Sequence, residues 1–336
     1  MPNDKILLDH GSGGKISHGL TTDLLLPLFN NPILGALNDG AVFEVNGTRM
    51  AFSTDTFTVD PLFFPGGDIG ELAVNGTVND LAMCGAKPLY ISMGLLLEEG
   101  LALGDLKRIL SSMQAAVDKA GVQLVTGDTK VVPKGAADKI YINTSGVGII
   151  PPGVDVGADK ARVGDRILIS GTIADHGMTI LTQREGLAFE SDLVSDTAPL
   201  NHLVASMLAK SRNIHVLRDP TRGGVGTSLN EIAGQAGVGI RFNESDIPIT
   251  PAVAGACELL GFDPLYVANE GKLLAFVDPE DAEAVLQVCR QDPCGRNASL
   301  IGEVVADHPG RVVMATRIGG ERLVDMLTGE QLPRIC

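Results

Sequence analysis

A break of fifteen residues, PPGVDVGADKARVGD at 151–165, divides this sequence into two stretches of similar character. On each side, short runs of β-branched and apolar residues alternate with segments of helical spacing. At the break both patterns lapse into Pro, Gly and charge, the mark of a boundary between domains. A length of 336 residues suits two domains. Strands mixed with helices in each half predict α+β halves packed as layers.

Before the break, strands are expected at 41–45 (AVFEV), 49–55 (RMAFSTD), 89–98 (LYISMGLLLE), 122–128 (VQLVTGD) and 139–150 (KIYINTSGVGII). Helices are expected at 20–31, broken by Pro27, at 67–85, stopped by Gly85, and at 102–121, stopped by Gly121. After the break, strands are expected at 166–171, 237–242, 272–277 and 311–316. Helices are expected near 176–186, 199–211, 224–236, 251–260, 279–291 and 320–327. Helical spacing is lost after Thr328. The nine residues from Thr328 to Cys336 can reach about 30 Å at ~3.3–3.6 Å each, and Pro333 stiffens them without ending the extension. Cys336, the last residue, can therefore swing between solvent and a site in the body.

Composition removes several function classes. A formal net charge of −15 disfavours a nucleic-acid partner. Aromatic residues make up 4% of the chain and Trp is absent, which leaves little for base stacking. No apolar run approaches the ~20 residues of a membrane span, and MPNDKILLDHGSGG lacks the apolar core of a signal peptide. Five cysteines stand at 84, 257, 289, 294 and 336, an odd number with no CxxC pair. Neither a disulfide framework nor a zinc ribbon is supported, and the simple expectation is reduced thiols in the cytoplasm. Prenylation is disfavoured because that motif needs its cysteine four from the end. Cys84, Cys257 and Cys289 read as core or helix thiols, and Cys294 as a loop thiol.

Several short motifs could carry chemistry. HGSGGK (10–15) supplies Gly11, Ser12, Gly13, Gly14 and Lys15, a Gly-rich backbone that can approach phosphate. It is not a Walker A, since Asp9 stands where that motif needs its first glycine and Ile16 follows Lys15. A flexible loop is the plainer reading. Asp55, Asp80 and Asp128 each end or interrupt an apolar segment and could converge on Mg²⁺, although such clusters are also ordinary turns. Glu71, Asn75 and Asn79 form a polar stripe at i, i+4 and i+8. A solvated face fits it well, yet two Asn are weak helix formers. In TGDTK, Thr129 and Lys130 follow Asp128, and a lysine there could neutralise a transferring phosphoryl group. RDPTRGGVG (218–226) offers Asp219, Thr221, Arg222 and Gly223 at a helix start, or a plain cap. Glu270 in ANEGK could be a general base if buried. His176 in IADHG is placed in a loop, where a structural role is the commoner one.

Taken together, HGSGGK, STDTFTVDPLFFPGGDIGELAVNGTVNDLAMCGAKP, TGDTKVV, DPTRGGV, NEGK and the final PRIC are far more specific than any one of them. Over essentially its whole length the sequence resembles the HypE family of hydrogenase maturation proteins, within the PurM-like (AIR synthase-related) ATP-binding superfamily. The resemblance implies a two-domain α+β fold. Residues 1–155 would bind ATP and dimerise, with their sheet joining a second copy in a β-barrel. Residues 156–327 would form the second domain, and 328–336 a mobile tail. ATP and Mg²⁺ would lie near the dimer interface, with Asp55, Asp80 and Asp128 at the metal. Asn79, Thr129, Asp219, Thr221, Arg222, Gly223 and the glycine loop would lie around the nucleotide. Cys336 would receive a carbamoyl group from the HypF carbamoyltransferase. The protein would dehydrate it to thiocyanate with ATP, and cyanide would pass to iron on HypC–HypD for [NiFe]-hydrogenase. Lys130 would act on the transferred group, with Glu270 as the base and His176 as a distant second.

Two rivals are weaker. Selenophosphate synthetases resemble the chain at NDLA and RGGV, but usually carry a reactive Cys or Sec near the glycine loop, where this chain reads LLDHGSGGK. A scaffold using Cys336 as a lone iron ligand lacks companion ligands.

Overall fold

The computed structural model describes residues 5–29, 31–187, 193–329, 332 and 334–336. The first half is built on five strands. These are β1 (Ala41–Val45), β2 (Thr48–Phe57), β5 (Lys87–Glu98), β6 (Gln123–Val132) and β7 (Ile140–Ile149), in the order β1-β2-β7-β5-β6. A two-stranded ribbon, β3 (Phe63–Phe64) and β4 (Gly67–Asp68), leads into α3 (Ile69–Met83), and α4 (Leu103–Ala120) joins β5 to β6. All pairs are antiparallel except β5 with β6, which run parallel across the α4 crossover.

Local chemistry explains the helix limits. Asp68 caps α3, accepting from Gly70 N at 2.7 Å and Glu71 N at 3.1 Å. Gly85 and Gly121, at φ +73° and +69°, turn the chain after α3 and α4. Helix α3 is buried on every side, and Asn75 and Asn79 are 0% and 1% exposed. The solvated-face reading of the polar stripe is therefore overturned for both. The helix lies between the sheet and the second half, so Asn79 meets main-chain groups and Asn75 meets the Thr197 hydroxyl instead of water.

The second half holds a seven-stranded sheet. Its strands are β8 (Arg166–Ile169), β9 (Ile214–Arg218), β10 (Gly239–Asn243), β11 (Leu274–Val277), β12 (Ser299–Val305), β13 (Val312–Ala315) and β14 (Glu321–Val324), in the order β14-β13-β10-β12-β8-β11-β9. Helices α5 (Asp175–Arg184), α6 (Asn201–Lys210), α7 (Gly224–Ala236), α8 (Pro251–Leu260) and α9 (Ala282–Gln291) surround it. Both faces are covered. Ile167, Ile169, Leu274 and Phe276 join the core with α5, α7 and α8, while Leu168, Ala275 and Val277 join α6 and α9. This explains why β11 reads as an unbroken apolar run instead of alternating.

Three expectations need correction. Residues 321–324 form a strand paired with β13, not a helix; pairing on the sheet edge overrides the local helical spacing. Strands β9 and β12 were not expected from the sequence. The first helical region begins at Gly14 and does not break at Pro27. It runs as α1 (Gly14–Leu20), a π-turn over Thr21–Leu25, and α2 (Leu26–Phe29). The wider turn just before Pro27 changes the hydrogen-bond ladder where proline cannot donate.

No closed barrel forms within one chain: among the described residues the five-stranded sheet is open, with edges at β1 and β6. Strand β6 is exposed from Gln123 to Val131, including Val125 at 57% and Val131 at 66%. The tail does not hang free either. Leu332 and Ile335 are buried, and residues 334–336 are bonded to the body. Pro333 lies outside the described residues.

Candidate active site

The strand ends, the N-terminus of α7 and the tail surround one cavity of about 190 Å³. Its walls include Gly11, Ser12, Thr58, Arg222, Gly223 and Cys336. The glycine loop closes one side. Gly13 and Gly14 both hold positive φ, at +76° and +78°. A Cβ on Gly14 would lie 2.3 Å from Leu327 O, and one on Gly13 would lie 3.0 Å from Arg222 O. Only glycine allows this approach. Lys15 N donates to Leu327 O at 2.8 Å, and Lys15 Nζ pairs with Asp325 at 2.7 Å. Arg222 Nη1 donates to Gly11 O at 2.7 Å. The loop is thus fastened to the second half, while Thr221 N turns back onto Asp219 O at 3.0 Å.

An acidic cluster lies beneath, with Asp219 buried and Asp39, Asp55 and Asp80 half-buried. Asp80, in the last turn of α3, accepts from Ser53 Oγ at 2.6 Å. Burial raises its pKa well above the ordinary value, and Asp219, Asp55 and Asp39 raise it further. Asp219 follows β9, and burial pushes its pKa up to about 6 against the pull of Arg218. Asp55 on β2 is raised by burial and lowered by Arg222; α3 passes it at Gly76, where a Cβ would lie 3.7 Å from Asp55 Oδ2. Arg218 reaches Asp39 at 2.9 Å and Glu231 at 2.6 Å. Asp39, which completes the cluster, sits in the sequence LNDGAV, where it reads only as a turn.

Glu270 is 4% exposed, and its Oε1 has no hydrogen-bond partner among the described residues. Burial raises its pKa well above the usual carboxylate range, and Asp55, Asp219 and Asp196 add to the rise. A buried carboxyl with a free oxygen and a raised pKa suits proton transfer near neutral pH. Asn79 holds this segment in place. Its Nδ2 donates to Ala198 O at 3.1 Å and Glu270 O at 3.4 Å, and its Oδ1 accepts from Leu200 N at 2.8 Å. The side chain expected beside nucleotide is therefore engaged with main chain in this structure. Arg222 ties the site together. The negative charge at Cys336 is the largest influence raising its pKa, and Asp55, Glu270 and Asp80 act in the same direction.

His176 is not in a loop. It lies in the first turn of α5, wholly buried, bonded to Ser195 and to Ile335 O. Burial lowers its pKa.

Asp128, Thr129 and Lys130 are not with the cluster. The register sets Asp128 opposite Gly94, Gly94 opposite Asn143, and Asn143 opposite Thr56. Asp128 therefore lies three strand spacings from β2, roughly 14 Å, and on the sheet face opposite Asp55. Lys130 Nζ meets its carboxylate at 2.7 Å in full solvent exposure, and that bond lowers the Asp128 pKa. A single chain does not unite Asp55, Asp80 and Asp128, because β7 and β5 separate them.

Among the described residues, no three acidic, His or Cys side chains converge closely enough to cage a metal ion. The inner carboxylates raise one another's pKa, so a cation there would relieve the repulsion. This fits Mg²⁺, which takes one or two carboxylates and fills its other positions with phosphate and water. Among the described residues no helix is long and apolar enough to cross a membrane.

Comparisons with known proteins show the family. The model of the AIR synthase related protein N-terminal domain matches residues 37–150, and that of the C-terminal domain matches 162–315. The chain is 55% identical over 335 residues to carbamoyl dehydratase HypE of Bradyrhizobium diazoefficiens, covering 99% of this chain and 97% of that one. It matches the crystal structure of hydrogenase maturation protein HypE in complex with ATP at a TM-score of 0.84 and 54% identity, covering 99% and 100% of the two chains. It matches a chain of a HypE–HypF complex at a TM-score of 0.88 and 45% identity, covering 92% and 99%.

Proposed function

This chain belongs to the HypE carbamoyl dehydratase family of AIR synthase related proteins, and from that premise we propose that it uses ATP to dehydrate a carbamoyl group carried on its own Cys336. The product would be S-thiocyanate, with ADP and phosphate released. One observation carries this reading: Cys336 lines the same cavity as Arg222, whose guanidinium feels the negative charge at Cys336 together with Asp55, Asp80 and Glu270.

An amide oxygen leaves poorly, and its phosphate ester leaves well. In the proposed path the carbonyl oxygen of carbamoylated Cys336 attacks the γ-phosphorus of ATP, and ADP departs. One N–H proton passes to water as the iminophosphate forms. Glu270 takes the second N–H proton while the C–O bond breaks, so phosphate leaves and S–C≡N remains. Arg222 and the N-terminal amides of α7 lie where they can balance phosphate charge. Asp55 and Asp80 are the residues that would hold Mg²⁺, which when bound screens the phosphates.

A second copy of the chain completes the proposal. The exposed edge β6 carries bare valines and a lysine paired only with Asp128 of its own strand, and such an edge invites pairing. Joining two open sheets would cover it and could carry Asp128, Thr129 and Lys130 of one copy toward the nucleotide of the other. The HypE–HypF structure supports HypF as a partner, and the proposed donor is a carbamoyltransferase activity of that partner. The HypC–HypD complex is proposed as acceptor of the cyanide destined for hydrogenase iron.

Cys336→Ala tests the assignment of the acceptor. The variant should bind ATP normally by calorimetry and yield no modified peptide when supplied with a carbamoylation system. Modification persisting on another residue would reject the tail as the carrier.

A further inference from the structure

Three consecutive main-chain oxygens of the tail are gripped by two elements, helix α5 and the loop that follows β2. Arg334 O accepts from Arg184 Nη2 at 2.8 Å and Asp60 N at 3.3 Å. Ile335 O accepts from His176 Nε2 at 2.7 Å. Cys336 O accepts from Thr58 N at 2.8 Å and Thr58 Oγ1 at 3.2 Å. None of these bonds reads a tail side chain, so the grip fixes the path of the chain and leaves the thiol to the cavity.

The middle contact is built more deeply than the others. A carbonyl can only accept, so His176 Nε2 carries the proton. In the neutral ring Nδ1 is then an acceptor, and Ser195 Oγ donates to it at 2.8 Å. Ser195 is oriented in turn, since its Oγ accepts from Thr197 N at 3.2 Å and its own N donates to Pro65 O at 2.9 Å. Phe64 stands edge-on to the imidazole, with centroids 5.6 Å apart at 86°. Beside it, Gly177 makes room for the tail: a Cβ there would lie 3.3 Å from Leu332 Cδ1 and 2.4 Å from Val267 Cγ1. Every constraint on the ring points its one N–H at Ile335 O. With the tail undocked, that buried donor would lose its acceptor.

We propose that His176, oriented by Ser195, is a positioning residue that latches the tail through Ile335 O and sets Cys336 over the cavity. This deepens the dehydratase reading and rests on it for its catalytic consequence. The latch itself can be read without any carbamoyl donor. In the full-length protein, Cys336 would be alkylated with iodoacetamide and the rate followed by peptide mass.

His176→Leu should raise that rate about tenfold, the effect of one lost buried hydrogen bond. His176→Gln, which restores an N–H at similar reach, should bring the rate back to within about threefold of the parent. Ser195→Ala should give an intermediate rise. Buried Cys84, Cys257 and Cys289 report folding, and their protection should not change. If His176→Leu exposes them, Ser195→Ala decides the matter. In carbamoylated protein the dehydration rate constant should fall in the Leu variant while KM for ATP is unchanged. An unchanged Cys336 rate in both the Leu and Ala variants, with the inner thiols protected, would overturn the latch. Loss of no water from the carbamoylated parent would instead overturn the dehydratase reading and leave the alkylation result standing.

Discussion

Carboxylates occur in two regions of this molecule with opposite electrostatics. Around α3 and β9, Asp219 and Glu270 are buried and Asp80 is half-buried, and loss of water together with mutual repulsion pushes their pKa values up. On β6, Asp128 lies in water with Lys130 at 2.7 Å, and its pKa is pushed down. In the first group Arg218 and Arg222 offset the acids only in part, and the second group satisfies its charge in a solvated pair of little energetic value. The difference supports the proposal that the inner cluster receives a cation, whereas the β6 group contributes only when another surface covers it.

The strongest way to break this contrast is to remove the inner base. Glu270→Gln should lower single-turnover dehydration by ~10²–10⁴-fold while ATP affinity stays near that of the parent. A loss below tenfold would move the base elsewhere.

Mixing chains sharpens the other side. If each site joins Glu270 of one copy to Lys130 of the other, Glu270→Gln and Lys130→Ala chains should each be impaired alone. Mixed after dissociation, they should recover about a quarter of parental activity, from one intact site in each mixed dimer. No recovery, with mixed dimers shown by native mass spectrometry, would place Lys130 outside the site.

The smallest effect concerns pH and stability. Carboxyls with raised folded pKa values contribute stability at low pH that is lost as pH climbs through those values. Without nucleotide or metal, the Tm should fall from the ordinary carboxylate range through about 6, the Asp219 value, and beyond. Asp80→Asn should flatten that slope and Mg-ATP should oppose it. Asp128→Asn should leave the slope unchanged. A flat parental profile by calorimetry would contradict the account of the inner cluster.

Much of the architecture was legible where one period dominated. Helix α4 has clean helical spacing and a Gly121 stop, and β7 alternates from Ile140 to Ile149. Elsewhere tertiary pairing overrode local pattern, as at β14. The short strand IHVLR was missed because its His and Arg interrupt an apolar run; both are satisfied by acids distant in sequence, His215 by Asp165 and Arg218 by Asp39 and Glu231. Asp55, Asp80, Asp219, Arg222 and Glu270 were readable as polar residues at strand and helix ends. Asp39, Thr58 and Ser195 were not, since turns and loops carry such residues everywhere. IADHG offers His176 for a proton-transfer role, but its burial and its bond to Ile335 O are tertiary facts with no signature there.

Intact-protein mass spectrometry of Cys336, carbamoylated and then incubated with Mg-ATP, tests the central claim most directly. The account predicts an adduct on Cys336 that loses one water only when ATP is present. An adduct that persists unchanged while ATP is consumed would contradict it, because nucleotide turnover would then be separate from the docked tail.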